Sequence, residues 1–324
     1  MADESSDQAG YPEWTSLEKK RGLDPLGMQT TSVALYQQLV PGISNVTLRV
    51  RYYGLYAWLA DWYARNVGTT SVDDWCRYLR RTEALYALVA QHAGNEQGIA
   101  GSRWAKRALN VPGDVIEFSS ATDRADGLPQ YLKQKFGAYG AAYGSQLLEI
   151  GVLEIIKNGE HELPVPSAHL GDAVAQAFAN EVGAAGVLFL EAMNSGRINR
   201  AALAQLHPLL PSRIGQDSAE RKLYEDMLFG RGQLPDEGAQ DRARTLRLVL
   251  RIGAEYEAKL NPDLVRWTLY APHRHDDTPL QPIGRLDDEQ AFHWQVYQAN
   301  DLLHACYEAL LRYTLDVLGS QPSG

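Results

Sequence analysis

The chain has 324 residues, of which 45% are hydrophobic and 22% are charged, and its formal net charge at pH 7 is −9. This length suits about two domains or one large helical array, and the ordinary composition excludes a wholly disordered or fibrous protein. The acidic balance argues against a nucleic-acid binder that works by bulk charge, although a local basic stripe can still act.

Cysteine usage and hydropathy indicate the compartment. Cys76 and Cys306 are the only cysteines, and each lies in a helical pattern, so we expect small core residues and no disulfide framework. The first residues, MADESSDQAG, lack the basic and apolar regions of a secretory signal. No uninterrupted apolar run reaches the ~18 residues that a membrane span needs. The sequence therefore predicts a cytoplasmic protein without a spanning helix.

The most apolar stretch runs from Asn45 to Asn66 and predicts one long central helix. Before it lie a polar arm, residues 1–23, and a short helix from about Thr31. Asn45 or Thr47 is the expected N-cap, because a short polar side chain accepts from the N–H groups of the first turn. A helix that is apolar on nearly every side is normally wrapped by others. One apolar row consists of Leu48, Tyr52, Leu55, Leu59 and Trp62, and further aromatic residues, Trp58 among them, continue around the helix.

Two arginines, Arg49 and Arg51, lie inside this aromatic run. One interpretation is a guanidinium that is held by ring faces and presented to an anionic ligand, since Arg suits cation–π contact better than Lys. The alternative is a structural ion pair, because buried charges are usually paired inside the fold.

A second helix is predicted from Val72 to Ala93, with Ser71 as its N-cap and Asp74 at the third helical position. Its apolar side should pack inward. Three arginines, Arg77, Arg80 and Arg81, are expected together on its other side. They form the first candidate nucleic-acid surface, for which the alternative is a solvated face.

A β-hairpin is predicted in GVLEIIKNGEHELPVP, because Asn158–Gly159 joins two β-compatible runs and Asn-Gly favours a two-residue turn. A helix over about residues 132–148 precedes it and another helix follows. This order resembles the recognition helix, wing and following helix of winged-helix domains. Lys157 is the only Lys or Arg between residues 146 and 186, against six acidic residues. Since an acidic wing repels phosphate, the resemblance implies a protein contact rather than DNA reading.

Helical patterns resume after this segment. Asn199 is expected to cap a short helix, and Asp217 with Glu220 forms a capping box for the next one. A strongly amphipathic helix is predicted over residues 239–260. Its apolar face is expected to carry Leu246, Val249, Leu250, Gly253 and Tyr256. A second face carries Arg244, Arg247 and Arg251, the second candidate nucleic-acid surface.

The last helix, from about Asp288 to Leu318, has apolar residues at alternating steps of four and three. This repeat predicts a seam for another helix, either the central helix or another subunit. The seam residues are Phe292, Val296, Ala299, Leu303, Cys306, Leu310, Tyr313 and Val317.

Residues that could carry chemistry are few. His273 to Asp277, HRHDD, holds ligand types for zinc or manganese without a recognised spacing. Glu257 and Lys259 match the final pair of a metal-dependent nuclease motif, but they lie in a helical pattern. His304 and Glu308 are four residues apart in the last helix, where a satisfied polar patch is the alternative. With no phosphate-binding, hydrolase or metalloprotease motif, we predict no catalytic residue, cofactor or metal.

Four runs together resemble a pattern of uncharacterised bacterial helical proteins encoded near restriction and phage-defence genes. They are DPLGMQ, LVPGISNVTLRVRYYGLYAWL, CRYLRRTEALYAL and WQVYQANDLLHACYEALL. The resemblance implies an accessory or sensing subunit of an antiviral assembly.

The sequence thus predicts a mainly α protein, a multi-helical array with one small winged-helix-like β-hairpin segment. The expected units are the arm, a helical domain over 24–125, the hairpin segment over 126–195 and a C-terminal helical domain over 196–324. The predicted function is that of a non-enzymatic scaffold or sensor subunit that contacts another protein through helices, with oligomerisation through the last helix. The alternatives are a nucleic-acid binder that uses the arginine stripes and a metal-dependent nuclease.

Overall fold

The computed structural model describes residues 30–123, 130–158, 161–231, 238–256, 261–270 and 285–320. The helices are α1 (Thr30–Leu39), α2 (Arg51–Asn66), α3 (Val72–Ala93), α4 (Ser102–Asn110), α5 (Ser119–Thr122), α6 (Gly144–Glu149), α7 (Gly171–Ser195), α8 (Ala219–Leu228), α9 (Ala239–Tyr256), α10 (Pro262–Tyr270) and α11 (Arg285–Gly319). A π-helix, Tyr139–Tyr143, leads into α6, and 3-10 helices occupy Arg200–Leu209 and Pro211–Arg213. The strands are β1 (Val115–Glu117), β2 (Leu153–Asn158), β3 (His161–Pro166) and β4 (Arg197–Asn199). The predicted arm, residues 1–23, lies outside the described residues.

The fold is mainly α with two small antiparallel sheets, which confirms the predicted fold class. The predicted hairpin is β2–β3, paired from Leu153 with Pro166 to Asn158 with His161. Asn158 therefore lies in the strand and not in the turn, while Gly159 lies outside the described residues. The second sheet pairs β1 with β4, two segments that the sequence did not link.

The central position of α2 is confirmed, because every residue from Arg51 to Ala60 is buried. The helix begins later than predicted, at Arg51, and its N-cap residue Val50 makes no side-chain hydrogen bond. Thr47 instead closes a preceding turn, in which its Oγ1 accepts from the Ser44 N–H at 2.8 Å. The predicted caps Asn45 and Thr47 are thus wrong, since the chain stays turn-like until residue 50.

Helix α3 has the predicted bounds and the predicted cap, with Ser71 Oγ accepting from the Asp74 N–H at 3.2 Å. All residues from Thr82 to Ala90 are buried, so this helix is wrapped as completely as α2. A helix that is apolar on all sides in its second half can only lie inside the bundle.

Helix α7 packs along α2 and is the one described helix that is long and apolar enough to cross a membrane by length and composition. Phe178 and Phe189 on α7 are fully buried, and their rings lie 5.4 and 5.9 Å from the ring of Trp58. These contacts place one side of α7 in the core. A kink at Gly183, where φ is +48°, divides the helix.

The described part of the chain has two apolar cores. The large one extends from α2 to α8 and includes the hairpin, and the small one joins α1, α9, α10 and α11. The predicted domain boundaries at residues 125 and 195 stay predictions. Helix α9 turns Ala243, Leu248 and Ile252 inward, while Leu250 is 58% exposed. The face of α9 that is buried is therefore rotated by a fraction of a turn from the predicted apolar face.

Candidate functional site

Arg51 forms the most buried ion pair of the described residues. Its Nε and NH2 groups donate to the two carboxylate oxygens of Glu220 at 3.0 and 2.9 Å, and both side chains are fully buried. NH1 donates to the carbonyls of Pro208, at 2.7 Å, and Leu210. These contacts engage four of the five N–H donors of the guanidinium, and the side chain is fully buried, so an external anion has no access to it. The anion-ligand prediction for Arg51 is wrong, and the structural ion pair is confirmed.

Glu220 takes this role because the cap of α8 is one residue later than predicted. Ser218 Oγ accepts from the Arg221 N–H at 3.1 Å, so Ser218 and not Asp217 is the N-cap. Glu220 points inward and also accepts from the Tyr224 hydroxyl at 2.9 Å. Burial raises the pKa of the Glu220 carboxyl, and the Arg51 guanidinium opposes that rise.

Arg49 is half buried, and its Nε donates to the Gln97 carbonyl at 2.6 Å. Its neighbours Leu48 and Gly98 line a pocket of about 470 Å³. The contact fixes the loop before α4, and an anion contact for Arg49 stays a prediction.

The arginines of α3 do not form one exposed face. Arg80 is 1% exposed and donates to three carbonyls, those of Thr122 at 2.8 Å, Leu132 at 2.9 Å and Gln134 at 2.6 Å. It therefore anchors the segments on both sides of residues 124–129 and is shielded from phosphate. The expectation of a common solvated face is wrong for this residue, because a long side chain on a wrapped helix can satisfy backbone carbonyls.

The other two arginines of α3 are paired with acids. Arg81 makes a bidentate pair with Asp123, at 2.9 and 2.6 Å, and donates to the Asn194 carbonyl at 2.7 Å. Arg77 pairs with Asp74 at 2.8 Å and lies over the ring of Tyr78. Of this trio, only Arg77 is well exposed.

The arginines of α9 also differ in environment. Arg244 is half buried and pairs with Asp241 at 3.3 Å, Arg251 is half buried, and Arg247 is exposed. The structure adds Arg242, which is fully buried and donates to the Pro41 and Met227 carbonyls at 2.9 Å. Arg242 thereby ties the start of α9 to both cores.

A further basic surface lies on α4, where Arg103, Lys106 and Arg107 are all exposed. Positions i, i+3 and i+4 share one face of a helix. The segment SRWAKRALN carries this pattern in its sequence, so helical periodicity was the signal that could have found it.

A buried carboxyl lies between α3 and the π-helix. Glu83 accepts from the Tyr56 hydroxyl at 2.9 Å and from the N–H groups of Ala138 and Tyr139 at 2.8 Å. Burial raises its pKa to about 7, against these hydrogen bonds. Gly137 has a φ of +54°, and a Cβ there would lie 2.1 Å from the carboxylate. The glycine is thus required for the close approach of Glu83.

Helix α11 buries one side and exposes the predicted seam. Trp294 and Gln290 both donate to Thr245 Oγ1 of α9, at 3.0 and 2.8 Å. Phe292 and Val296 lie about 200° from Trp294 around the helix and are 60% and 41% exposed. From residue 301 onward, all described residues of α11 are exposed except His304 and Leu311, which are half buried.

The seam therefore does not pack against α2, which was one of the two predicted partners. Ten large apolar residues of α11 are each 40–69% exposed. They are Phe292, Val296, Leu302, Leu303, Tyr307, Leu310, Tyr313, Leu315, Val317 and Leu318. Cys306 is exposed among them, so its predicted place in the core is wrong, whereas Cys76 is buried. Leu315 has the same heptad position as Asp301 and Glu308, on the far side of the helix, so we call the other nine residues the α11 apolar face.

A groove of about 470 Å³ lies beside the middle of α11, between α1, α11 and the π-helix. His304 lines it, with its Nε2 atom 3.6 Å from the Glu308 carboxylate. Asn300 donates to Ser32 Oγ at 2.8 Å. These contacts agree with a satisfied polar patch.

The described residues contain no group of three or more metal-ligating side chains. The predicted candidates His273 to Asp277 and the pair Glu257 and Lys259 lie outside the described residues.

Comparisons with family models, with curated proteins and with solved structures give no match to this chain. The winged-helix resemblance of the hairpin segment and the resemblance to defence-associated proteins both stay predictions.

Proposed function

We propose that the protein is a non-enzymatic helical subunit of a cytoplasmic assembly and that it docks on protein through the α11 apolar face. The observation that carries this proposal is the exposure of a heptad seam over most of a 35-residue helix. Contiguous exposed apolar patches above a few hundred Å² are rare in monomeric proteins and indicate interaction sites.

Three buried arginines act as structural ties in this fold. Arg51, Arg80 and Arg242 satisfy backbone carbonyls or a buried carboxylate and hold segments together. Side chains engaged in this way stabilise the fold.

Substitution of Leu303 and Leu310 tests the docking surface. Both side chains are exposed, at 53% and 61%, so Leu303→Glu/Leu310→Glu should leave the fold intact. Pull-down from the native host should lose the bound protein with this variant. The matched control is Arg312→Glu, which changes the charge by the same amount on the opposite side of α11. Equal recovery with both variants would contradict the proposal.

The resemblance to defence-associated proteins supplies a setting for this assembly. In a host from which the gene has been deleted, expression of the wild-type chain should lower the efficiency of phage plating. Expression of Leu303→Glu/Leu310→Glu should not lower it. Plating that is unaffected by the wild-type chain would exclude an antiviral role under the phages tested.

Nucleic-acid binding is the alternative function. Of the six predicted arginines, Arg247 is the one with the most open environment, and each lost phosphate contact should lower the salt slope by about one. Duplex binding at low salt that is unchanged by Arg247→Glu would remove this residue from any contact surface.

A further inference from the structure

We propose that the α11 apolar face binds the same face of a second copy of this chain, so that the protein is a homodimer. The inference rests on the proposed docking function and names its partner. Its arguments are the exposed area, the repeat, and the distribution of charge on α11.

The exposed area is sufficient for a stable interface. The nine residues of the face expose roughly 900 Å² in total, against the ~800 Å² per partner of a standard interface. The helix is about 52 Å long at 1.5 Å per residue, and the seam extends from Phe292 to Val317. A small ligand would cover only a fraction of such a surface.

The repeat favours a helical partner with the same spacing. Steps of four and three continue over eight positions, which is the spacing that lets knobs of one helix enter holes of another. Among the described helices, α11 is the one that exposes such a seam. A second copy necessarily presents the same spacing, and a two-fold axis makes the patch self-complementary.

The charges of α11 lie away from the seam. Positions that flank a heptad seam set pairing by charge, and here they are His293, Gln295, Asn300, Leu302, Tyr307, Ala309, Thr314 and Asp316. Among them Asp316 is the only Asp, Glu, Lys or Arg, so like-charge repulsion does not oppose self-pairing. Asp301, Glu308 and Arg312 lie on the opposite side of the helix and stay in water in the dimer.

Within the described residues, the globular body leaves the seam accessible. Helix α11 attaches to α1 and α9 through the side that carries Trp294, and the seam faces away from this attachment. Two copies can therefore meet along α11 with their bodies on the outside of the pair.

The sequence before Thr30 is a poorer candidate for this surface. Its apolar residues follow no heptad repeat, and Pro12, Gly22 and Pro25 interrupt it. It contains six acidic and three basic residues, a net charge of the same sign as that of α11.

Light scattering and sedimentation of the purified full chain test the inference. At tens of micromolar the wild-type chain should have twice the monomer mass of 36.0 kDa. Leu303→Glu/Leu310→Glu should raise the dimer dissociation constant by at least ~100-fold, because carboxylates in an apolar seam lose water without gaining a partner. Arg312→Glu should remain dimeric, and circular dichroism of both variants should match the wild type.

Several results would overturn the second copy as partner. A monomeric wild-type chain would do so. If the pull-down of a host protein still depended on Leu303 and Leu310 in that case, the proposed docking function would hold with a different protein as the partner. A chain that is monomeric until residues 1–29 are removed would assign the face to that segment. A dimer that persists in Leu303→Glu/Leu310→Glu would place the interface elsewhere.

Discussion

Replacing Glu220 by alanine should destabilise the protein more than most single substitutions. The change leaves the Arg51 guanidinium fully buried with two carbonyl acceptors and no counter-charge. Breaking a buried pair from one side costs about 3–5 kcal/mol, and the Tyr224 hydroxyl loses its acceptor for roughly another 1 kcal/mol. The expected loss of about 4–6 kcal/mol is a large share of a total stability of ~5–15 kcal/mol.

Urea unfolding followed by circular dichroism measures this loss. The matched control is Glu225→Ala on the same helix, which removes the exposed pair with Arg221 at 2.8 Å and should cost about 0.3–0.5 kcal/mol. The double variant Arg51→Met/Glu220→Leu should be more stable than Glu220→Ala, since no charge stays buried. A loss below ~1 kcal/mol for Glu220→Ala would refute the argument that this pair holds α2 to α8.

Three further substitutions test the core and the buried titratable groups. Trp58→Ala should cost about 3–5 kcal/mol in urea unfolding, because the ring packs on Phe178 and Phe189, and an unchanged midpoint would make α2 peripheral. Burial raises the pKa of Glu83 in the folded protein to about 7, above its ordinary value of 4.5. The contribution of this carboxyl to the free energy of unfolding is therefore fully present below pH 4.5 and is lost as the pH rises through 7. Glu83→Gln should flatten that fall in unfolding free energy between pH 4.5 and 7. His207 lies 3.0 Å from His92, and burial and that neighbour lower its pKa. The free energy of unfolding should therefore fall as the pH drops below about 6.5. His207→Gln removes the titrating ring and should remove this fall.

Local pattern was sufficient for the elements whose signals lie within a few residues. The bounds of α3 and its Ser71 cap, the burial of α2 and the hairpin are all visible in the sequence, because apolar periodicity, cap residues and β-compatible runs act over short distances. The same reasoning misplaced the cap of α8 by one residue, since Asp217 and Ser218 are both suitable caps. It also began α2 too early, because that helix starts at Arg51 without a side-chain cap.

The partners of these elements were decided only by the tertiary structure. Arg51 meets Glu220 across 169 positions, and nothing near either residue in the sequence marks that pairing. Arg80 and Arg242 are buried against backbone carbonyls, which every residue carries and which therefore leave no sequence signal. The repeat of α11 identified a seam without its partner, because periodicity defines which side of a helix is apolar, while packing decides which other surface covers it.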